Sequence, residues 1–167
     1  MNYTRSDLAQ ADAAMNQMRN AIYHLIRFMK KENVKDVNMR LQRIGKNIAS
    51  TYSRYWLPKN ALNRQNLDII LKEIYSSIFK SKINLEVDYE KNILKIVDNK
   101  CCLCKYNYPD IDIPGCEVLQ GFLPNFIDIL NKKYPNEKII SIKRKEVSRS
   151  RAIGDSQCVQ EFYISEK

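Results

Sequence analysis

From the N-terminus to about Lys80, apolar side chains return every three or four positions, the spacing that gathers them on one face of an α-helix. Leu8, Met15, Met18, Ile22, Leu25, Ile26 and Met29 mark a first amphipathic helix from about Asp7 to Lys31. The charged break Lys30-Lys31-Glu32-Asn33 separates it from a second helix opening near Asp36, whose carboxylate is expected to accept from the free N–H groups of the first turn. Val37, Leu41, Ile44, Ile48, Tyr52 and Tyr55 share one face of that helix. It ends in an aromatic cluster, Tyr52, Tyr55 and Trp56, because Leu57 precedes Pro58 and is biased away from helix. A third helix, from about Asn63 to Lys80, buries Leu67, Ile70, Leu71, Ile74 and Ile78.

After Lys80 the period shortens to two. Ile83, Leu85, Val87 and Tyr89 alternate with Asn84, Glu86 and Asp88, as in a half-buried strand. Glu90-Lys91-Asn92 is the turn of a hairpin, with Asn92 able to adopt a left-handed conformation, and Ile93 to Val97 returns. Past a cysteine-bearing stretch, Leu119, Phe122, Phe126, Ile129 and Leu130 line a fourth helix between Cys116 and Tyr134, in which Pro124 predicts a kink or a late start. Strands follow over about Lys138 to Val147 and Gln157 to Ile164, with Gly154-Asp155 as a turn between them and Cys158 on the side of Phe162 and Ile164. The pattern predicts an α+β fold, N-terminal helices packed with a small antiparallel sheet. One domain spans 1–167, helical to about residue 80 and then carrying the fourth helix, the strands and the cysteines.

Composition changes this picture little. Hydrophobic residues at 44% and charged residues at 28%, with 4 Gly and 5 Pro, describe a compact soluble chain. No apolar run approaches the roughly 20 residues needed to cross a bilayer. Met1 to Arg5 leads into a polar amphipathic segment rather than a signal sequence, so a cytoplasmic protein without membrane contact is expected. The net charge of +9 invites a nucleic-acid reading. Its densest run, Lys143-Arg144-Lys145 with Arg149 and Arg151, lies along a strand end and turn, which favours a solvated surface. The single histidine, His24, falls beside the first helix's apolar stripe and reads as a partly buried, hydrogen-bonded residue rather than a ligand or base.

All five cysteines lie between positions 101 and 158. An odd number without a secretory signal argues against a disulfide framework, leaving metal binding, reactive thiols or plain burial. Cys101-x-x-Cys104 has the spacing that lets two thiolates converge on one tetrahedral ion, and Cys116 and Cys158 are the candidates for a second pair. There is no glycine-rich phosphate loop and no dinucleotide fingerprint. The aromatic cluster Tyr52, Tyr55 and Trp56 packs in the ordinary case, and also makes good pocket walls, apolar in body with polar tips.

The run Pro114-Gly115-Cys116-Glu117-Val118-Leu119-Gln120-Gly121-Phe122, followed by a helix, a strand and Ser150-Arg151-Ala152-Ile153-Gly154-Asp155-Ser156-Gln157-Cys158, resembles the 4-vinyl-reductase domain. That family also supplies the effector-sensing domain of phenol-responsive activators and is similar in fold to TRAPP subunits and haem-based nitric-oxide sensors. The resemblance covers the last third of the chain specifically and the helical half in outline. It implies a ligand-binding fold of the nitric-oxide-signalling and Golgi-transport type, usually dimeric, holding a small hydrophobic ligand between helices and sheet, here at Tyr52, Tyr55, Trp56, Phe122 and Phe126. In the phenol sensors a structural zinc sits nearby, with ligands at the positions of Cys116, Val147, Ser150 and Cys158; Val147 and Ser150 replace two of them here. Other members carry a C-x-x-C upstream of the helix, which implies a rebuilt site of Cys101, Cys104, Cys116 and Cys158, with Cys102 as a substitute for Cys101.

Three functions are weighed on this basis. The first is a sensory or regulatory domain that binds a hydrophobic ligand, dimerises and signals through a partner protein; it predicts an apolar pocket between the Ile44–Trp56 helix and the Cys116 helix. The second is an enzyme or accessory factor of tetrapyrrole or cofactor metabolism. The third and weakest is a nucleic-acid-binding module.

Overall fold

The computed structural model describes residues 4–135 and 139–166. The side chain of Leu8, expected on the first apolar stripe, and Lys138, expected to open the third strand, lie outside the described residues. Helix α1 spans Arg5–Lys31, α2 Val37–Tyr52 and α3 Leu67–Ile78; strands β1 (Ile83–Asp88) and β2 (Ile93–Asp98) form the hairpin. Helix α4 (Glu117–Asn131), strand β3 (Ile140–Arg149), a 3-10 turn (Arg151–Ile153) and β4 (Cys158–Glu166) complete the order. The architecture is α+β, as the two hydrophobic periods require.

The strands form one antiparallel sheet in the order β1-β2-β4-β3. Its register places Leu94 opposite Phe162, Ile96 opposite Gln160 and Asp98 opposite Cys158, so these side chains share the face that the helices cover. Helix α4 lies against β3, and α2 lies against α4. Leu94, Ile96, Phe122, Leu123, Phe126, Ile127 and Phe162 are at most 1% exposed in the resulting core. The opposite sheet face is charged: Glu161 takes Lys145 at 2.5 Å and Lys95 at 3.3 Å.

Several element ends differ from the sequence reading for local reasons. Asp36 does precede α2, but in the left-handed region (φ 60°), and its side chain makes no capping bond. A side-chain cap needs an extended backbone at that residue; only the Asp36 carbonyl serves, accepting from Arg40 N–H. Helix α2 ends at Tyr52, and Tyr55 and Trp56 sit in the turn beyond. Helix α3 starts four residues later than expected, at Leu67, because Asn63 Oδ1 accepts from the N–H groups of Gln65 and Asn66. Such side-chain turns compete with helix. Helix α4 runs through Pro124 from Glu117, so the proline does not mark its start. On α1, His24 is solvent-exposed rather than partly buried, and Leu25 is exposed as well, while Tyr23 takes the inward position. Asn92 does adopt the left-handed conformation expected of it (φ 56°).

Candidate metal centre

Three segments converge at the sheet end where β2 leaves and β4 begins. Cys101 and Cys104 sit in a tight turn three residues past β2, closed by Cys104 N–H donating to Cys101 O at 3.2 Å. Cys116 occupies the residue before α4, and Cys158 opens β4 opposite Asp98. Because β2 and β4 are paired, the chain leaving Asp98 must pass beside Cys158. The sulfurs of Cys101, Cys104, Cys116 and Cys158 all lie within 4.8 Å of one another, and all four residues are buried. Cys102, the alternative donor, is not in this group; it is only partly buried.

These four donors fit a tetrahedral metal ion. Metal–sulfur bonds of ~2.3 Å give a tetrahedron whose edges are about 3.8 Å, so small inward shifts suffice. Four thiolates fill the coordination shell and leave no position for water or substrate, which makes the arrangement structural in character.

Polar groups surround the sulfurs. The Tyr23 hydroxyl donates to Cys104 Sγ at 3.4 Å and accepts from Gly115 N–H at 3.1 Å. Arg151 N–H donates to Cys158 Sγ at 3.4 Å, and Ser150 Oγ lies 3.7 Å from both Cys116 Sγ and Cys158 Sγ. Asp155 holds this loop by accepting from Ser150 N–H at 2.8 Å. Ser150 thus stands beside the sulfurs without a ligand's softness, whereas Val147, half-buried on β3, offers no donor atom. The thiols share their protons unequally. Hydrogen bonds from Cys101, Cys116 and Cys158 hold the Cys104 thiol far below its usual range, and the bond to Cys104 pushes Cys101 up. Burial drives Cys102 up to about 12, which leaves it protonated at neutral pH. Tyr23 is raised by burial and then by Cys104, so its hydroxyl keeps its proton as a donor.

The aromatic candidates lie in a separate part of the core. Trp56 stacks on Phe126 with centroids 6.1 Å apart, Phe126 on Phe122 at 5.2 Å, and Phe122 meets Phe79 edge-on at 4.9 Å. Phe79 meets Tyr75 at 5.4 Å, whose hydroxyl donates to the Gln160 carboxamide. Trp56 at one end of this row is half-buried, as is Tyr52 at the end of α2, and Phe122 and Phe126 are fully buried. Tyr55, at 83% exposed, stands outside it.

No apolar pocket separates α2 from α4 where they cross. A Cβ at Gly45 would overlap the Val118 carbonyl oxygen, and one at Gly121 would overlap that of Gln42, so the two backbones touch. Beside this crossing runs an open surface groove of about 600 Å³, in which the basic side chains Arg43, Lys46 and Arg144 stand among the apolar Met39, Pro124 and Ile142. The sequence reading missed Tyr23, Arg151 and Asp155 as neighbours of the sulfurs. For Tyr23 the signal was present, since it lies next to Ile22 and three residues before Ile26 on the buried side of α1.

No protein-family model matches the sequence, and no curated protein matches it. Among solved structures, the chain is similar to trafficking protein particle complex subunit 3 from Naegleria fowleri, a structure described as covalently bound to palmitic acid. The TM-score is 0.61 over 92% of this chain and 96% of that one, at 12% sequence identity. The protein therefore shares the fold of a TRAPP subunit, a relation that holds at the level of fold.

Proposed function

We propose that the protein is a non-catalytic binding module, regulatory or assembly-directed, that works as a homodimer with a partner protein and is held together by one structural zinc on Cys101, Cys104, Cys116 and Cys158. The observation that carries the zinc is the closed set of four buried sulfurs within 4.8 Å, a geometry and donor softness suited to zinc. Thiolate ligands must shed their protons to bind, so metal uptake depends on pH.

The hydrophobic-ligand part of the reading is supported by the aromatic row and by the palmitate described in the TRAPP subunit. A ligand of this class reaches Phe126 and Phe122 from the half-buried end at Tyr52 and Trp56, since the α2–α4 crossing is closed. Trp56, the single tryptophan, is a built-in probe of that route.

Native mass spectrometry of freshly purified protein tests the first claim; two chains carrying one zinc each are expected. A metal-free monomer overturns it, and a brown, iron-bearing protein replaces zinc with a cluster. Titration with a long-chain fatty acid tests the second. A saturable change in Trp56 emission, lost in Phe126→Ala, supports an apolar ligand; an unresponsive spectrum removes that part alone.

A further inference from the structure

Among the described residues, helix α1 makes its long-range side-chain hydrogen bonds and ion pairs to the segment that carries the first three cysteines. Arg19, 3% exposed, donates from Nε to the Cys102 carbonyl at 2.9 Å. One helical turn later Tyr23, 1% exposed, meets Cys104 Sγ and Gly115 N–H. Its ring lies 4.1 Å from that of Tyr108. Gly115 leaves the space for it, because a Cβ there would fall 3.0 Å from the Tyr23 hydroxyl. Farther along, Arg27 pairs with Asp110 at 2.5 Å and Lys30 with Asp112 at 2.9 Å. Among the described residues, every one of these partners lies between Cys102 and Gly115. The two ion pairs are solvent-exposed, and such pairs hold little by themselves. Ile22, Ile26 and Met29 bury apolar surface as well, but the buried polar contacts are those at Arg19 and Tyr23, and both fall on the Cys101–Cys104 turn.

We infer that Arg19 and Tyr23 are outer-sphere residues of the metal centre, and that filling the centre is what docks helix α1 onto the domain. This rests on the metal reading above. A metal draws Cys101 and Cys104 onto a common point and so fixes the two acceptors that α1 uses, the Cys102 carbonyl and the Cys104 sulfur. Outer-sphere donors in turn orient the ligand they touch. Tyr23 donates its one proton to the Cys104 sulfur, and the lone pair it keeps takes the Gly115 N–H, so a single hydroxyl ties α1 both to the Cys101–Cys104 turn and to the approach to Cys116. Emptying the centre leaves four mutually crowded sulfur groups. The turn then relaxes, and α1 loses the two buried polar contacts made by Arg19 and Tyr23.

Hydrogen exchange of the full chain, read by mass spectrometry with metal content measured on the same samples, tests the inference. With one zinc per chain, amides over residues 16–30 are expected to exchange at least tenfold more slowly than after chelation, while those of α3 change little. Tyr23→Phe keeps the ring and removes the hydroxyl. It should still take one metal per chain, bind it roughly tenfold more weakly in competition with a chelator, and lose protection in α1. Arg19→Gln should loosen α1 in the same way and serves if Tyr23→Phe folds poorly. One metal per chain with unchanged α1 exchange overturns this inference and leaves the metal reading standing. Equal loss of protection in α1, α3 and β4 on chelation also overturns it, by making the metal a global rather than a local clasp. A chain that takes up no metal overturns both.

Discussion

Single side chains carry information here that neither element nor pattern predicts. Glu161 points to the outer face of the sheet yet is only 9% exposed at its side chain, because Lys145 and Lys95 close over it. The Lys145 hydrogen bond holds the Glu161 carboxyl below its usual range. The folded value therefore lies below the unfolded one. The stabilisation is present above the unfolded value of about 4.3 and is lost as pH falls through the folded one. Glu161→Gln should cost about 1 kcal/mol at neutral pH, measured by urea denaturation, since the pair is partly screened by solvent. The difference from the parent should shrink toward zero in acid. If the four cysteines hold zinc as proposed, Cys158→Ser should lower zinc content and melting temperature together; an unchanged melting temperature with zinc lost would separate the metal from the fold. The sequence showed these cysteines plainly, but not the part of Tyr23 beside them. Its role depends on what lies opposite, across more than eighty residues of chain.

At the scale of elements, the α2–α4 crossing is the clearest case of structure overruling propensity. Alanine in a helix interior is favoured over glycine by about 1 kcal/mol. At Gly45 the added methyl meets the Val118 backbone, which cannot rotate away. Gly45→Ala should therefore destabilise the protein by about 1–3 kcal/mol, the usual cost of overpacking, as a shift of the denaturation midpoint. A stabilised variant would mean that the helices separate easily and that a ligand could open the crossing. The helices and the hairpin were legible because apolar periodicity is a local property. The missing Asp36 cap and the late start of α3 were not, because each turns on a backbone conformation or an asparagine side-chain bond that composition does not specify.

For the whole molecule, α1 presents Leu25 at 36% and Phe28 at 59% exposure on the side away from the cysteines. A large exposed aromatic on a helix face is suited to contact with a second chain. If the proposed dimer uses it, Phe28→Lys should shift the protein from two chains to one in light scattering, with its helical content kept. A dimer that survives the change places its interface elsewhere. Among the described residues no helix is long and apolar enough to cross a membrane. Lowering the pH returns protons to the thiolates and should release the metal, with α1 loosening over the same range if the two are coupled.

The sequence by itself determined the elements, their order and the α+β class, because helical and strand periods are written in neighbouring residues. It also supplied four cysteines able to form one site. Only the tertiary structure decided that they meet. Pairing of β2 with β4 brings Cys158 beside the chain leaving Asp98, and the turn that follows selects Cys101 over Cys102. Likewise, two glycines on separate helices closed the place where a pocket was expected, through a contact between backbones far apart in the chain. Convergence of this kind depends on long-range pairing and packing, which no local period encodes.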